Sequence, residues 1–361
     1  MARKQQEDLS PELLSEIFSY FDTAAPSLSK LRLQPDPELT SSPTVDLKSI
    51  SCASWKWRQV VLRTLFKHVR IVLKWDEGSG WALQTEAMLR FLRKSEIASI
   101  VESFTMIFTT TEDGRHFPFR QLPPDSVDNL FRLTFKTIDV SRLTIVAPPE
   151  TLGFLTSCSL YDPVFDHYHM PHQILSLTRH RSTDDPHITE LKSNLFSIRP
   201  WSSVLLNEGS FLRAYSICGY PSVTNPPSIL QDLVSVHDRT KKFVLPFDVR
   251  EFSYIAIFPF SFHFKLLENL LPRLRRLYIQ LTPRSDVTSD SRQTAQAQIL
   301  DMVQERNDCY ESLMQWAQYP KAKLHRYLCE IECGDGDIEP AWALLLARHS
   351  SFIRSSNITI Q

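Results

Sequence analysis

The chain has 361 residues, 42% of them hydrophobic, with 40 Lys and Arg against 41 Asp and Glu. That length and apolar content allow a substantial core in one large or two unequal domains. A net charge of −1 gives nucleic acid or an anionic membrane no hold as main partner, and no run nears the roughly 18 apolar residues of a membrane span.

The start, Met1 to Asp8, is charged and lacks a following apolar stretch, so no secretory signal is expected. Leu9–Phe21 then reads as an amphipathic helix. Ser10 can cap it, Pro11 suits its first turn, and Glu12 complements the positive end of its dipole. Leu9, Leu13, Leu14, Ile17, Phe18 and Phe21 recur along a stripe wider than a two-turn neighbour can cover. Thr23–Val45 carries prolines 26, 35, 37 and 43 among Ser and Thr, and reads as an extended, disordered insertion. Such a loop costs little, because closure entropy grows only logarithmically with length. A second helix follows from Asp46. A third runs from Lys56 to about Phe66, with Trp57, Val61 and Leu65 on one face.

These segments resemble an F-box, the adaptor-binding module of cullin–RING ubiquitin ligases. The resemblance rests on Leu9, Glu12, Leu13, Ile17, Phe18 and Asp22, then on Asp46, Leu47, Trp57 and Arg58 at the family's spacing. Ser10 stands at the usual proline, with Pro11 one position later. Ala53 replaces a valine, Phe21 replaces a leucine, and Thr23–Val45 stands where the family has two or three residues. The resemblance covers residues 1–66 and implies docking onto a Skp-type adaptor, and through it a cullin. The residues implied for that contact are Leu9, Pro11, Leu13, Leu14, Ile17, Phe18, Leu47, Ile50 and Trp57, although Trp57 can instead brace the third helix against the first.

Beyond Phe66, strand-like and helix-like runs alternate. Val69–Leu73 reads as a strand, Leu83–Leu92 as a helix, Phe104–Phe108 as a strand, Val127–Phe131 as a helix and Leu143–Ala147 as a strand. Later come Phe252–Phe258 (strand), Phe262–Leu271 (helix), Leu277–Leu281 (strand), Thr294–Gln318 (helix), Leu324–Ile331 (strand) and Pro340–Ala347 (helix). The alternation predicts parallel strands joined by crossover helices. Residues 159–248 resist parsing.

Six units share the pattern apolar-x-x-apolar-x-apolar: Phe66/Val69/Ile71, Val101/Phe104/Met106, Val140/Leu143/Ile145, Val249/Phe252/Tyr254, Leu274/Leu277/Ile279 and Leu324/Tyr327/Cys329. They resemble a leucine-rich repeat whose consensus has decayed. Leu271–Leu281 is the nearest local match to the repeat strands of F-box proteins of the filamentous-fungal type. The expected fold class is therefore α/β: a small N-terminal three-helix F-box, then an irregular leucine-rich-repeat-like solenoid of parallel strands and helices over residues 67–361. An unrelated α/β domain is the alternative.

Chemistry-bearing clusters are few. Six scattered cysteines (52, 158, 218, 309, 329 and 333) fit a reduced compartment and not a disulfide scaffold. With 8 glycines and no Gly-x-Gly-x-x-Gly, Gly-x-x-x-x-Gly-Lys-Ser/Thr or Gly-x-Ser-x-Gly, the usual nucleotide enzymes and serine hydrolases are disfavoured. Asp166, His167, His169 and His172 offer zinc-type ligands, but beside Pro163 and Pro171 they read as a surface loop. Cys309, Cys329 and Cys333 read as core or half-buried thiols, and Asp335-Gly-Asp337 as a turn. Arg273, Arg275 and Arg276 can form a basic patch for an acidic or phosphorylated target, or simply solvated charges.

The sequence therefore predicts a substrate-recognition adaptor of a cullin–RING (SCF-type) ubiquitin ligase, cytoplasmic and/or nuclear, that binds an unknown protein substrate. It is expected to have no catalytic residues, no cofactor and no metal. Two rivals are a repeat-type interaction scaffold outside any ubiquitin ligase and an α/β enzyme whose site sequence does not reveal.

Overall fold

Ser10 starts the first helix: its Oγ accepts the Leu13 amide at 3.4 Å, Pro11 takes the first helical position, and α1 runs Pro11–Ser19. In this computed structural model the described residues are 9–41, 44–74, 81–109, 126–160, 168, 170–179, 195–216, 225–237, 242–282, 299–318, 327–335 and 359–360. A single turn, α2 (Pro26–Ser29), and a 3-10 turn over Pro37–Thr40 follow α1. Then α3 (Val45–Ala53) and α4 (Trp55–Leu65) meet at Ser54, whose extended backbone ends the first and whose Oγ caps the second through the Trp57 amide. Leu14, Phe18, Leu47 and Val61 close a small core between these helices, with Leu9, Ile50, Trp57, Val60 and Leu65 packed against it.

The rest of the described chain is a layered α/β structure. Its elements are β1 (His68–Lys74), α5 (Ala82–Lys94), β2 (Ser103–Thr109), α6 (Ser126–Thr137), β3 (Arg142–Ala147) and α7 (Pro149–Thr156). Next come β4 (Gln173–Thr178), β5 (Ser203–Ser210), α8 (Leu230–Val234), and a small ribbon of β6 (Val236–His237) and β7 (Lys242–Phe243). Last are β8 (Glu251–Ile257), α9 (Ser261–Phe264), β9 (Arg276–Gln280), α10 (Ile299–Gln318), β10 (Glu330–Cys333) and β11 (Thr359–Ile360).

Nine strands form one sheet in the order β1-β2-β3-β4-β5-β8-β9-β10-β11, so spatial order follows chain order. Every pairing is parallel except those of β4, which runs against both of its neighbours. Two rows of apolar side chains cross it. One runs Val69, Phe104, Leu143, Leu177, Val204, Phe252, Leu277, Ile331, and the other Ile71, Met106, Ile145, Leu175, Leu206, Tyr254, Ile279, Cys333. The reversed strand keeps both rows because side chains alternate with period two whichever way a strand runs. Leu89, Leu92, Phe131, Phe135, Leu155, Phe264 and Leu313 join these rows in one continuous core.

The predicted strands at β1, β2, β3, β8 and β9 lie on these rows, as do their repeat units. The last predicted unit is displaced. Leu324 lies outside the described residues and Tyr327 and Cys329 are exposed, while Leu328, Ile331 and Cys333 take the buried places four residues later. Pairing with Leu277 and Ile279 selects that register. The unparsed stretch holds β4 and β5, and Trp201/Val204/Leu206 repeats the same unit. Phe262–Leu271, expected as one helix, is a single turn that passes into a 3-10 turn over Lys265–Asn269. Residues 294–298 and the predicted helix Pro340–Ala347 lie outside the described residues.

The predicted disordered insertion is ordered over 25–41 and lies across the sheet face opposite the helices. There Leu31 is buried among Ile107, Val146 and Ile174, beside Leu205. Composition hides this outcome, since one leucine in a proline-rich segment gives no periodicity, yet the sheet leaves an aliphatic spot that needs a cover.

Truncating one residue of a fully buried row leaves a cavity that the surrounding strands cannot close. Leu206→Ala is expected to lower stability by about 2–5 kcal/mol in urea titrations. Val72→Ala, on an exposed position of β1, is expected to cost under about 1 kcal/mol.

Candidate functional site

Two surfaces converge on the N-terminal helices. The first is the outer face of α1. Of the nine residues predicted to contact a partner, Leu14, Phe18 and Leu47 are sealed inside the helical core. Leu9, Ile50 and Trp57 are half-buried, and the Trp57 indole meets Phe18 edge-on at 5.5 Å between ring centres, so it braces α4 against α1. Pro11 is exposed at the helix start. Leu13 (49% exposed) and Ile17 (44%) face outward, joined by Phe21 (44%) and Tyr20 (83%) just past the helix end. Leu13, Ile17 and Tyr20 are spaced by four and three residues, so they share one helical face. Val45 and Trp55, the first residues of α3 and α4, are exposed as well. Tyr20, Phe21, Val45 and Trp55 were not among the predicted contacts; the spacing from Leu13 could have found Tyr20, and nothing in the spacing marks Val45 or Trp55. Glu12 and Glu16 flank the face, and the Glu12 backbone amide and the Ser10 hydroxyl hold the Glu12 carboxyl below its ordinary range.

The second surface is the strand face crossed by residues 25–41. Asn207 Nδ2 donates to the carbonyls of Leu31 at 2.8 Å and Leu33 at 2.7 Å. Gln280 Nε2 reaches the Arg32 carbonyl at 3.4 Å, Arg70 the Pro37 carbonyl at 3.3 Å, and Arg142 the Ser27 carbonyl at 3.5 Å. The Arg32 guanidinium sits 3.6 Å above the Tyr278 ring and 3.7 Å from the Glu332 carboxylate. β5 makes room by a bulge: Glu208 is extra between the pairs Asn207–Ile255 and Gly209–Ala256. Gly209 has φ +81, and a Cβ there would stand 3.4 Å from both Gln34 and Pro35. Glycine suits that position on both counts.

Two cavities flank this segment. One, of about 380 Å³, lies between the segment and the strands and is lined by Arg32, Arg142, Arg276, Glu251, Glu332 and the hydroxyls of Ser176, Thr178 and Ser203. Burial lowers the Arg142 guanidinium from its ordinary range. The other, of about 370 Å³, lies at the seam of the helices and the sheet, between Asp22, Leu47, Lys48, Leu65 and His68, Arg70, Met88. His68 Nδ1 is 2.8 Å from Ser103 Oγ, and burial, with Lys67 adding to it, holds the imidazole below its ordinary 6.5.

Titratable clusters elsewhere are structural in geometry. Glu208 is fully buried and receives the Ser228 hydroxyl on one oxygen and the Tyr254 hydroxyl at 2.6 Å on the other, with His263 Nε2 at 3.0 Å. Neither cavity is lined by any of these four. Asp335 accepts the amides of Leu281 and Thr282, the Thr282 hydroxyl and the Tyr310 hydroxyl, tying β9 to α10, while burial raises its carboxyl. Asp337, its predicted turn partner, lies outside the described residues.

Cys158, Cys309 and Cys333 are buried and Cys52 and Cys329 exposed; burial pushes the Cys158 thiol up to about 12. Of the histidine cluster read as a surface loop, Asp166, His167 and His169 lie outside the described residues, and His172 is half-buried; among the described residues no group of three His, Cys, Asp or Glu is placed to hold an ion. Arg275 and Arg276 are exposed, but Arg273 does not join them in a patch. Arg273 is buried and donates to the Leu245 carbonyl at 2.8 Å, whereas Arg276 pairs with Glu330 and Glu332. No helix among the described residues is long and apolar enough to cross a membrane. No known protein family, curated protein or solved structure matches the chain.

His68 yields a pH dependence. Its folded pKa lies below 6.5, so the unfolded chain binds more protons there; the stabilisation is present above pH 6.5 and is lost as pH falls towards the folded value. Urea midpoints are expected to fall on acidification from about pH 7.5 to about 5.5, and His68→Gln is expected to remove part of that fall. An unchanged slope in the variant contradicts the assignment.

Proposed function

We propose that the chain is a substrate-recognition adaptor of an SCF-type ubiquitin ligase. In this reading residues 1–66 are an F-box that docks onto a Skp-type adaptor and through it a cullin, and the strand face takes a target protein. One observation carries it: after the helices have closed their own core with Leu14, Phe18, Leu47 and Val61, α1 still turns Leu13, Ile17, Tyr20 and Phe21 outward. Helix-in-groove contacts draw most of their energy from a few such side chains becoming desolvated. Complete burial of a leucine or isoleucine is worth roughly 1.5–3 kcal/mol, so the half still exposed on Leu13 and Ile17 offers about 1 kcal/mol each.

The sheet supports the same reading. Spatial order that follows chain order, with the apolar-x-x-apolar-x-apolar unit recurring at Val101, Val140, Trp201, Val249, Leu274 and Leu328, is what a decayed leucine-rich repeat retains. The chain then performs no chemistry: it holds a target close to a ubiquitin-loaded enzyme in the cytoplasm and/or nucleus, raising effective concentration. A repeat-type scaffold outside any ligase is the second reading, favoured by residues 25–41, which fasten the helices to the sheet through Asn207 and Glu332.

Co-purification with a Skp-type adaptor separates the two. The intact chain is expected to retain the adaptor, and L13D with I17D to weaken it by about a hundredfold or more while the thermal midpoint stays unchanged. No retention by the intact chain removes the ligase role.

A further inference from the structure

We propose that residues 25–41 are a built-in occupant of the target-binding face, and that the protein ligand this face accepts is a segment that turns at an aliphatic residue followed by arginine. The inference deepens the reading of the strand face as the target-binding surface and depends on it.

The segment is held as a bound peptide is held. Side chains of the strands donate to its carbonyls at Ser27, Leu31, Arg32, Leu33 and Pro37, a pattern that reads backbone and is indifferent to sequence. Asn207 and Gln280, which supply three of these bonds, are each only 1% exposed. Under the segment both amides are shut off from water, and its carbonyls give them the partners that burial makes necessary. Sequence enters through two side chains. Leu31 fills the aliphatic spot between Ile107, Val146 and Ile174, and Arg32 lies over Tyr278 with its charge towards Glu332. Together they define the ligand: apolar knob, then guanidinium, at the two central positions of a turn that the Leu33 amide closes onto the Lys30 carbonyl at 3.1 Å.

The face is not filled to its edge. The 380 Å³ cavity beside the segment continues over Arg142, Ser203, Glu251 and Arg276, which gives an incoming chain a polar path into the same site. The occupant is joined at both ends to α1 and α3, so it competes at the high effective concentration of a tether. A target must outbind it, and displacement would loosen the helices that face the adaptor.

The test uses the full chain with L31D and R32E, which lifts the occupant, and a fluorescent peptide of residues 25–41 as probe. The peptide is expected to bind this variant at least tenfold more tightly than the unaltered chain by anisotropy. It is expected to lose that binding when it carries R32E itself, and to regain it on a chain that also carries E332R. Equal binding to the variant and the unaltered chain overturns the proposal. So does a variant that loses cooperative thermal unfolding, since the segment is then a structural cover. Adaptor capture by the same variant is read in parallel: capture without peptide binding sinks this inference alone, and peptide binding without capture sinks only the ligase reading.

Discussion

The two apolar rows that cross from β1 to β10 hold the molecule together, because each of these eight strands gives one buried residue to both and the crossover helices pack down onto them. Parallel strands joined in chain order let each unit bury its row only against the next, so the core grows along one axis and no single helix seals it. The reversed strand β4 tests that logic: Leu175 and Leu177 enter the rows in opposite order and the rows continue.

A sheet covered by helices on one side leaves the other to be dealt with. Here most of that side is hydroxyl and charged, with an aliphatic spot at Ile107, Val146 and Ile174 that Leu31 covers. The covering segment begins and ends in the N-terminal helices, so one stretch of chain fixes both the state of the strand face and the placement of the module with its exposed Leu13 and Ile17. Under the proposed reading, partner docking and target docking would be coupled through this shared element.

Where the sequence was legible, one physical signal stood alone. β1, β2, β3, β8 and β9 could be read because a single strand pattern is followed by a helical one. β4 escaped because no helical pattern follows Gln173–Thr178 among the described residues, and β5 because Asn207-Glu208-Gly209 breaks its apolar run at the bulge. The stripe on α1 was visible, but its division was not: Leu13 and Leu14 are adjacent and equally apolar, and only the position of α4 sends one inward and the other out. Residues 25–41 were misread because proline content signals disorder, whereas four donor side chains scattered from Arg70 to Gln280 supply the five bonds that order them. Such long-range donors leave no local trace.

The claim on which the two surfaces depend is that Leu31 is seated on the sheet in the free protein. Methyl NMR on the full chain tests it directly, through nuclear Overhauser contacts from the Leu31 methyls. The account predicts contacts to the methyls of Val146 and Ile174, whose side chains share its pocket. Leu31 methyls with the shifts and relaxation of an unfolded chain, and no contact to the sheet, would contradict it.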